Sequence, residues 1–318
     1  MFRERGLGVR IYGKIACAVA SLFFLGGAWL LHAQRRETGP VDEGFTVTSR
    51  VVYTNGAHGP LLADVYIPMK EGIHPGIVFI HGGGWKNGNR HQMIKLIKAL
   101  AEDGYVCFTI EYDVDPVPFP ASFHESLAAV KFFRDHAAQY HLDPARVAVA
   151  GSSAGGELAA LVALNPSGLP LGTGLAKYEA QAGSASAVQA GVILNGVLDL
   201  TDMARTHEAG MITAYLGGTC EAKMDACKDA SPVFHVHPGA PPMYVGHGTA
   251  DQTVPFAEAV AFTNALKAAR VPVRFFQAEG GRHTFWADPR FYTENLEAIK
   301  EFLSIHLRGG AQAKFAEK

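Results

Sequence analysis

Apolar and polar positions follow two different periods along this chain from Phe45 onward. Short runs of consecutive apolar residues, such as those within Gly76–His81 and Val106–Tyr112, are typical of strands buried on both faces of a sheet. Longer stretches, such as Ala121–Tyr140, repeat their apolar residues every three or four positions and predict helices. The predicted strands are Phe45–Tyr53, Ala63–Ile67, Gly76–His81, Val106–Tyr112, Arg146–Ala150, Val192–Asn195, Met243–Gly246 and Val273–Gln277. The predicted helices are His91–Asp103, Ala121–Tyr140, Ser153–Leu164, Phe256–Ala269 and Asn295–His306.

This order of elements predicts an α/β fold with a mostly parallel sheet and helices on both of its faces. The first two strands are joined through Asn55-Gly56 and should form an antiparallel hairpin. The stretches 165–190 and 200–235 have no clean period, so they are predicted to be loops that form a small lid over the sheet edge. In such sheets the working site lies at the carboxyl ends of the strands. Each candidate residue should therefore follow a predicted strand.

The chain begins with a segment that predicts export. Residues 1–14 contain four basic residues and one acidic residue, and residues 15–31 contain no charge. Residues 1–33 are therefore predicted to be a signal peptide, cleaved after Ala28 or Ala33, or a membrane anchor if they are not cleaved. We expect the α/β domain that follows, residues 42–310, to be periplasmic or extracellular, either released or held at the inner membrane by residues 15–31.

Composition narrows the classes of partner and cofactor. The 318 residues are 48% apolar and 18% charged, which fits one large domain after the leader. The net charge is −2 and no basic stripe is present, so no nucleic-acid partner is expected. The chain has no glycine-rich nucleotide-binding motif and no Cys/His spacing that suits zinc. We therefore predict no cofactor and no metal.

The four cysteines fall in three different contexts. Cys17 lies in the leader, and Cys107 lies in an apolar strand, where we expect a small buried hydrophobe. Cys220 and Cys227 lie seven positions apart in a polar insert. An exported protein could oxidise that pair, so the sequence predicts a disulfide between them.

A glycine-flanked serine follows the fifth predicted strand. The residues Gly151-Ser152-Ser153-Ala154-Gly155 stand between the apolar run that ends at Ala150 and a helical stretch. Such a sharp strand-to-helix turn holds its central serine in a strained conformation with the hydroxyl exposed. Ser153 is the candidate nucleophile.

A serine hydroxyl needs a base to take its proton and a carboxylate to orient that base. His283 follows the last predicted strand and is the candidate base, whereas His247 is a rival that we expect to pack at a strand exit. Asp251 follows the strand Met243–Gly246 and is the candidate acid, and Asp199, one strand earlier, is the alternative. The order Ser153, Asp251, His283 is the one expected of an α/β-hydrolase triad.

The residues His81-Gly82-Gly83-Gly84-Trp85 follow the third predicted strand and suggest an oxyanion hole. Three glycines allow backbone N–H groups to turn toward a substrate oxygen. Gly83 and Gly84, together with Ala154 after the nucleophile, are the predicted donors, and Gly82 is a third candidate in the loop. Three aromatic side chains are candidates for the substrate pocket: Trp85, Phe119 and Trp286.

Five motifs occur together in one order: His81-Gly82-Gly83-Gly84-Trp85, Phe119-Pro120-Ala121 leading to Ala128-Ala129-Val130, Gly151-Ser152-Ser153-Ala154-Gly155-Gly156, Ser231-Pro232, and His247-Gly248-Thr249-Ala250-Asp251. In this set the chain resembles the α/β-hydrolase carboxylesterases of the hormone-sensitive-lipase-like and feruloyl/acetyl-xylan-esterase-like (BD-FAE) type, over about residues 60–305. The chain departs from that family at four positions: Ser152 replaces a frequent Asp, Asp113 replaces Arg, Glu125 replaces Asp, and Glu157 replaces a frequent His.

The resemblance implies a serine carboxylic-ester hydrolase that works through an acyl-enzyme. An amide hydrolase such as a formamidase, and a non-catalytic binding protein with the same fold, are the two alternatives. The predicted strands begin soon after the leader, so a large N-terminal cap is not expected and the site should be comparatively open. An open site suits short acyl, acetyl or feruloyl groups on small-molecule or saccharide-linked esters better than long-chain lipids.

Overall fold

The computed structural model describes residues 44–164, 188–203 and 209–309. Eight strands within these ranges form one sheet, in the spatial order β1-β2-β4-β3-β5-β6-β7-β8. The strands are β1 (Phe45–Gly56), β2 (Gly59–Pro68), β3 (His74–Ile80), β4 (Val106–Ile110), β5 (Leu142–Ser152), β6 (Ala190–Leu194), β7 (Met243–Gly248) and β8 (Val273–Ala278).

Eight α-helices are assigned in the same ranges: α1 (Ile94–Glu102), α2 (Ala121–Asp135), α3 (Ala154–Leu164), α4 (Leu200–Met203), α5 (Ala209–Leu216), α6 (Met224–Asp229), α7 (Phe256–Ala268) and α8 (Pro289–Arg308). Short 3₁₀ helices cover Ala137–Tyr140, Pro232–His235 and Phe285–Ala287.

The pairing of the strands confirms the predicted α/β fold. β1 pairs with β2 and β2 with β4 in antiparallel orientation, and every other neighbouring pair is parallel. The central strands β3, β4 and β6 are buried at every position. Their continuous apolar runs therefore reflect burial on both faces of the sheet, as expected for parallel strands.

The core consists of two clusters, one on each face of the sheet. Along β3, Val78 and Ile80 belong to the cluster that includes side chains of α2, α3 and α7, whereas Ile77 and Phe79 belong to the cluster that includes side chains of α1 and α8. This division follows from the period of two along a strand. Burial of each such side chain stabilises the folded state by about 1.5–3 kcal/mol. The sheet is therefore a rigid base for the loops at its edge.

Several predicted boundaries were wrong. Residues 200–235 are not plain loops, because they contain α4, α5, α6 and a 3₁₀ turn. The last helix begins at Pro289, six residues before the predicted start. There the Asp288 side chain accepts a hydrogen bond from the Arg290 N–H and caps the helix. Helix α2 ends at Asp135, because the following turn tightens into a 3₁₀ helix.

Some predictions fall outside the described residues. These are the leader of residues 1–33, the ends of the predicted 42–310 domain, and residues 165–187 and 204–208 of the predicted lid. Where the structure describes the chain, no helix combines the length and the apolarity needed to cross a membrane.

A pair of buried carboxyl groups links the β1–β2 hairpin to α2, at two of the positions where the chain departs from the family that it resembles. The Asp113 N–H donates to Glu125 Oε2 at 2.8 Å, and the Asp113 carboxylate accepts the N–H of Ala57. Burial raises the pKa of the Glu125 carboxyl to about 8. The charge of Asp113 and the hydrogen bond between the two carboxyl groups act in the same direction, whereas the Asp113 N–H opposes them. Glu125 is therefore protonated in the folded protein at neutral pH.

We expect this pair to make the folded state less stable in alkaline solution. Between the ordinary pKa of a glutamate and pH 8 the folded state binds a proton that the unfolded state releases, so the free energy of unfolding falls as the pH rises. One such group contributes at most ~1.4 kcal/mol per pH unit. Burial also raises the pKa of Glu258 to about 8, so Glu125→Gln should remove part of the slope.

Urea unfolding at pH 5, 6, 7 and 8 measures this slope. The exposed Glu297 provides the matched control, and Glu297→Gln should leave the slope unchanged. A Glu125→Gln variant with the wild-type slope would contradict the assignment.

Candidate active site

Ser153 lies at a sharp turn between β5 and α3. Its φ is 56°, in the left-handed region that non-glycine residues rarely adopt. The flanking glycines are needed for close packing, because a Cβ on Gly151 would lie 2.0 Å from the carbonyl oxygen of Gly155, and one on Gly155 would lie 2.2 Å from that of Ile80. The Ser153 N–H donates to the Leu194 carbonyl at 3.0 Å and ties the turn to β6. The turn therefore holds the serine side chain at the carboxyl ends of the strands.

His283 contacts both the serine and an acid. Its Nε2 lies 2.9 Å from Ser153 Oγ and its Nδ1 lies 2.8 Å from Asp251 Oδ2. An ionised carboxylate can only accept, so Nδ1 bears the hydrogen and Nε2 accepts the hydrogen of the serine hydroxyl. The structure thus brings together the three residues predicted from three separate strand ends.

The Asp251 carboxylate is completely buried, and four nitrogen donors lie within 3.2 Å of its oxygens. Oδ1 accepts the N–H groups of Thr253 at 2.9 Å and Val254 at 3.0 Å. Oδ2 accepts from His283 and also lies 3.2 Å from Nε2 of His247. Burial by itself raises the pKa of Asp251, but the hydrogen bonds from His247 and His283 outweigh it and hold this pKa well below its usual range. Asp251 is therefore a fixed, ionised partner for His283.

The rival residues have other contacts. Asp199 caps the start of α4, because its Oδ1 accepts from the N–H of Thr201 at 2.9 Å and from the Thr201 hydroxyl. His247 is buried as expected, but it does more than pack, because it contacts the candidate acid. Asn195 follows β6, and its Nδ2 lies 3.3 Å from Nε2 and 3.4 Å from Nδ1 of His283. Sequence reasoning missed Asn195, although its place at the end of a predicted strand was a usable signal.

The glycine loop after β3 runs against the nucleophile. A Cβ on Gly82 would lie 3.0 Å from the Cβ of Ser153. The N–H of Gly82 donates to Gln92 Oε1 at 2.6 Å, so this group is already engaged. Gly83 and Gly84 have φ values of 127° and 60°, conformations that favour glycine. Of the three loop glycines considered as donors, Gly82 is the one whose N–H has a hydrogen-bond partner within the described part of the chain.

Two of the three predicted pocket aromatics lie together. The Trp85 ring stacks on Tyr215 of α5 with centroids 4.1 Å apart, and Phe119 meets the same tyrosine edge to face at 5.6 Å. Trp286 belongs instead to the core cluster that contains α1 and α8. Tyr215 was missed, because it lies in a stretch whose apolar residues show no clear period.

A buried carboxyl group joins these aromatics to α3. Glu157 lies one turn after Ser153, and its Oε2 accepts from Trp85 Nε1 at 3.1 Å, while the Tyr215 hydroxyl lies 3.3 Å from Oε1. Burial raises the pKa of Glu157 far above its usual value, and the hydrogen bonds from Trp85 and Tyr215 only partly oppose it. The Glu157 carboxyl group is therefore neutral, and it holds the Trp85 and Tyr215 side chains in place beside the glycine loop.

Two substitutions of Glu157 are expected to differ. Glu157→Gln keeps an oxygen acceptor for Trp85 and Tyr215 and should change the free energy of unfolding by less than ~1 kcal/mol. Glu157→Leu leaves two buried donors without an acceptor, which costs about 1–3 kcal/mol for each group. Urea unfolding of both variants tests this, and equal losses of stability would show that the acceptor oxygen is irrelevant.

The structure also joins the predicted cysteine pair. Cys220 and Cys227 form a disulfide with Cα atoms 5.4 Å apart, and both residues are buried. Cys107 is a free, buried thiol in β4, and Cys17 lies outside the described residues.

Comparison with known proteins places this geometry in a family. The sequence model of the BD-FAE family matches residues 63–266. Esterase LipQ of Mycobacterium tuberculosis is 31% identical over 279 residues, which are 84% of this chain and 64% of LipQ. The chain thus spans less than two thirds of the length of that relative.

Two solved structures are similar. Esterase Est2 of Thermogutta terrifontis, solved with butyrate bound, has a TM-score of 0.70 at 28% identity, covering 84% of this chain and 97% of the esterase. The same enzyme has also been solved phosphorylated by paraoxon, with a TM-score of 0.66. A truncated carbohydrate esterase from gut microbiota, at 24% identity and a TM-score of 0.71, covers 84% of this chain and 99% of its own and supports the fold alone. With a family match over most of the described sheet and the α/β-hydrolase topology around Ser153, this chain belongs to the BD-FAE family.

Proposed function

We propose that this protein is a serine carboxylic-ester hydrolase that works through an acyl-enzyme on Ser153. The observation that supports this most is the continuous contact from Ser153 Oγ through His283 to Asp251, with the serine held at a strained turn. Such a serine also attacks activated phosphoryl reagents. The paraoxon adduct of the Thermogutta esterase agrees with this chemistry in a relative.

The proposed reaction has two halves. Ser153 Oγ attacks the ester carbonyl while His283 Nε2 takes its proton, and the resulting imidazolium then gives that proton to the leaving alcohol. Water next attacks the acyl-enzyme, with His283 again accepting and returning a proton, so that the carboxylic acid leaves and the serine is restored. Asp251 holds the Nδ1–H tautomer and stabilises the charge that develops on the ring.

The N–H groups of Gly83, Gly84 and Ala154 are the proposed donors to the oxyanion. The close approach of the loop to Ser153 and the start of α3 at Ala154 support this assignment. The hydrogen bond from Gly82 to Gln92 argues against Gly82 as a further donor. One such donor is worth about 3–4 kcal/mol of the barrier.

The proposed substrates are esters of short-chain acyl groups or acetyl- and feruloyl-type esters, on small molecules or saccharides. Met211 of helix α5 packs against the glycine loop, because a Cβ on Gly84 would lie 2.5 Å from the Met211 sulfur. With Trp85, Phe119 and Tyr215 packed together beside that loop, the space next to the oxyanion position is limited. Trp286 stays a weaker candidate for this pocket. The butyrate-bound Thermogutta esterase is consistent with a short acyl group in a relative.

We further propose that the enzyme is exported, with residues 1–33 as a signal peptide or, if they are not cleaved, as a membrane anchor through residues 15–31. The basic and then uncharged N-terminal sequence is the basis for this proposal, and the Cys220–Cys227 disulfide agrees with an oxidising compartment.

A series of p-nitrophenyl esters from acetate to palmitate tests the proposed substrate class. We expect kcat/KM to be highest for acetate or butyrate and to fall steeply for longer chains. Faster cleavage of the long chains would overturn the short-acyl proposal. Feruloyl esters and a formyl amide belong in the same panel, because exclusive cleavage of the amide would replace the esterase with an amide hydrolase.

A further inference from the structure

We propose that His247 is a positioning residue, which holds the Asp251 carboxylate in place for His283 by donating a second hydrogen bond to Oδ2. The inference rests on the proposed function, because it assigns a role within the same site. It goes beyond the triad, since His247 touches neither the serine nor the space where a substrate would bind.

The contacts of His247 fix which ring nitrogen bears the hydrogen. Nε2 lies 3.2 Å from Asp251 Oδ2 and 3.1 Å from the carbonyl oxygen of Val254. Both of these atoms are acceptors, so Nε2 must be the donor, and its single hydrogen is shared between the Val254 carbonyl and Asp251 Oδ2. Nδ1 is buried and has no hydrogen-bond partner among the described residues. A hydrogen on Nδ1 would therefore be a buried donor without an acceptor, and the geometry favours the neutral ring with its hydrogen on Nε2.

Because His247 is buried, its contact with Asp251 is shielded from water. The side chain is 0% exposed, and its ring meets Phe256 edge to face at 6.0 Å. Water cannot replace the N–H at this position. In a site of low polarity a hydrogen bond to an ionised carboxylate is stronger than one at the surface.

The four donors around Asp251 divide into two pairs. The N–H groups of Thr253 and Val254 donate to Oδ1. These two donors belong to the same turn as the aspartate itself. His247 on β7 and His283 in the loop after β8 hold Oδ2 from two different elements. His247 is thus the donor that ties the carboxylate to the sheet. Without it, Oδ2 would be held by His283 alone, the residue that it has to orient.

Among the described residues, these two histidines are the titratable side chains in contact with the Asp251 carboxylate. Without the N–H group of His247, the negative charge of Oδ2 should interact more strongly with the Nδ1–H group of His283. We therefore expect a stronger hydrogen bond from His283 Nδ1–H together with a less firmly held carboxylate.

The experiment compares His247→Leu with His247→Gln by ester hydrolysis across the pH range. His247→Leu removes the donor, and we expect kcat to fall about tenfold or more with little change in KM. The acidic limb of the kcat/KM profile should move to higher pH. His247→Gln keeps an N–H at similar reach and should recover most of the loss and the wild-type profile. If His247→Leu does not fold, His247→Asn, whose amide is too short to reach Asp251, takes its place.

A second measurement separates this inference from the esterase proposal. The proton on His283 Nδ1 should give a low-field NMR resonance whether or not the protein hydrolyses esters, and it should move to lower field in the variant without the donor. If the wild type hydrolysed no ester, the proposed function would be overturned. The change in the NMR resonance would then still test the role of His247. A folded donor-free variant with wild-type kcat, pH profile and resonance would overturn the role of His247.

Discussion

Replacing Ser153 with alanine is expected to lower kcat for ester hydrolysis by roughly 10⁴- to 10⁶-fold. The hydroxyl oxygen is the atom that forms the acyl bond, so nothing else at the site can take its place. The N–H of Ser153 bonds the backbone of β6 and does not depend on the hydroxyl, so the fold should be retained. Steady-state kinetics on a short p-nitrophenyl ester, with circular dichroism to verify folding, measure the effect.

The neighbouring serine is the matched control for this experiment. Ser152 is buried at the end of β5, and its Oγ lies 3.5 Å from Gln92 Oε1, a long and weak contact. Ser152→Ala should therefore change kcat by less than a few-fold. Equal losses in the two variants would mean that the turn as a whole matters, and that the Ser153 hydroxyl has no special role.

Replacing Asp251 with asparagine is expected to lower kcat about 10⁴-fold. The amide is nearly the same size, but its NH₂ group would donate to His283 and favour the tautomer with the hydrogen on Nε2. That ring nitrogen could then no longer accept the proton of Ser153. His247 would also face a donor in place of an acceptor, so this variant loses both contacts at Oδ2.

Asp199→Asn is the control, because Asp199 was the alternative acid from sequence. Its Oδ1 accepts from Thr201 at the start of α4, and an amide oxygen can keep that contact. We expect a loss of stability below ~1 kcal/mol and an unchanged kcat. A large kcat loss in Asp199→Asn together with an active Asp251→Asn would contradict the assignment of the acid.

The sequence predicted the sheet and its nucleophile turn because both depend on local signals. Consecutive apolar residues identify buried strands, and the glycines around Ser153 identify a turn that only small residues allow. His283 and Asp251 could be placed because both follow strands whose carboxyl ends meet at one edge of a parallel sheet. These inferences needed no knowledge of side-chain packing.

Other parts of the site could not be predicted, because they depend on contacts between distant segments. Tyr215 becomes part of the site only when α5 packs on Trp85, and its own stretch of sequence shows no clear period. His247 was noticed beside a strand exit, but whether it packed or donated depended on which way Asp251 turned. The early start of α8 was missed because its cap, Asp288, precedes the apolar period of that helix.

Two departures from the family pattern take on meaning in the structure. Asp113 and Glu125 are partners in one buried carboxyl pair. Asp113 stands where relatives have a basic residue, and its neighbour Glu125 is protonated, so the pair does not bury two negative charges. A single unpaired charge at this depth would be costly. Sequence alone shows the two substitutions as unrelated changes.

The most direct test of the central claim is to treat the wild-type protein with a fluorophosphonate and map the adduct by mass spectrometry. The account predicts one adduct on the peptide that contains Ser153, loss of esterase activity in proportion to labelling, and no adduct in Ser153→Ala. An unlabelled wild-type protein, or an adduct on another serine with activity lost in parallel, would contradict it.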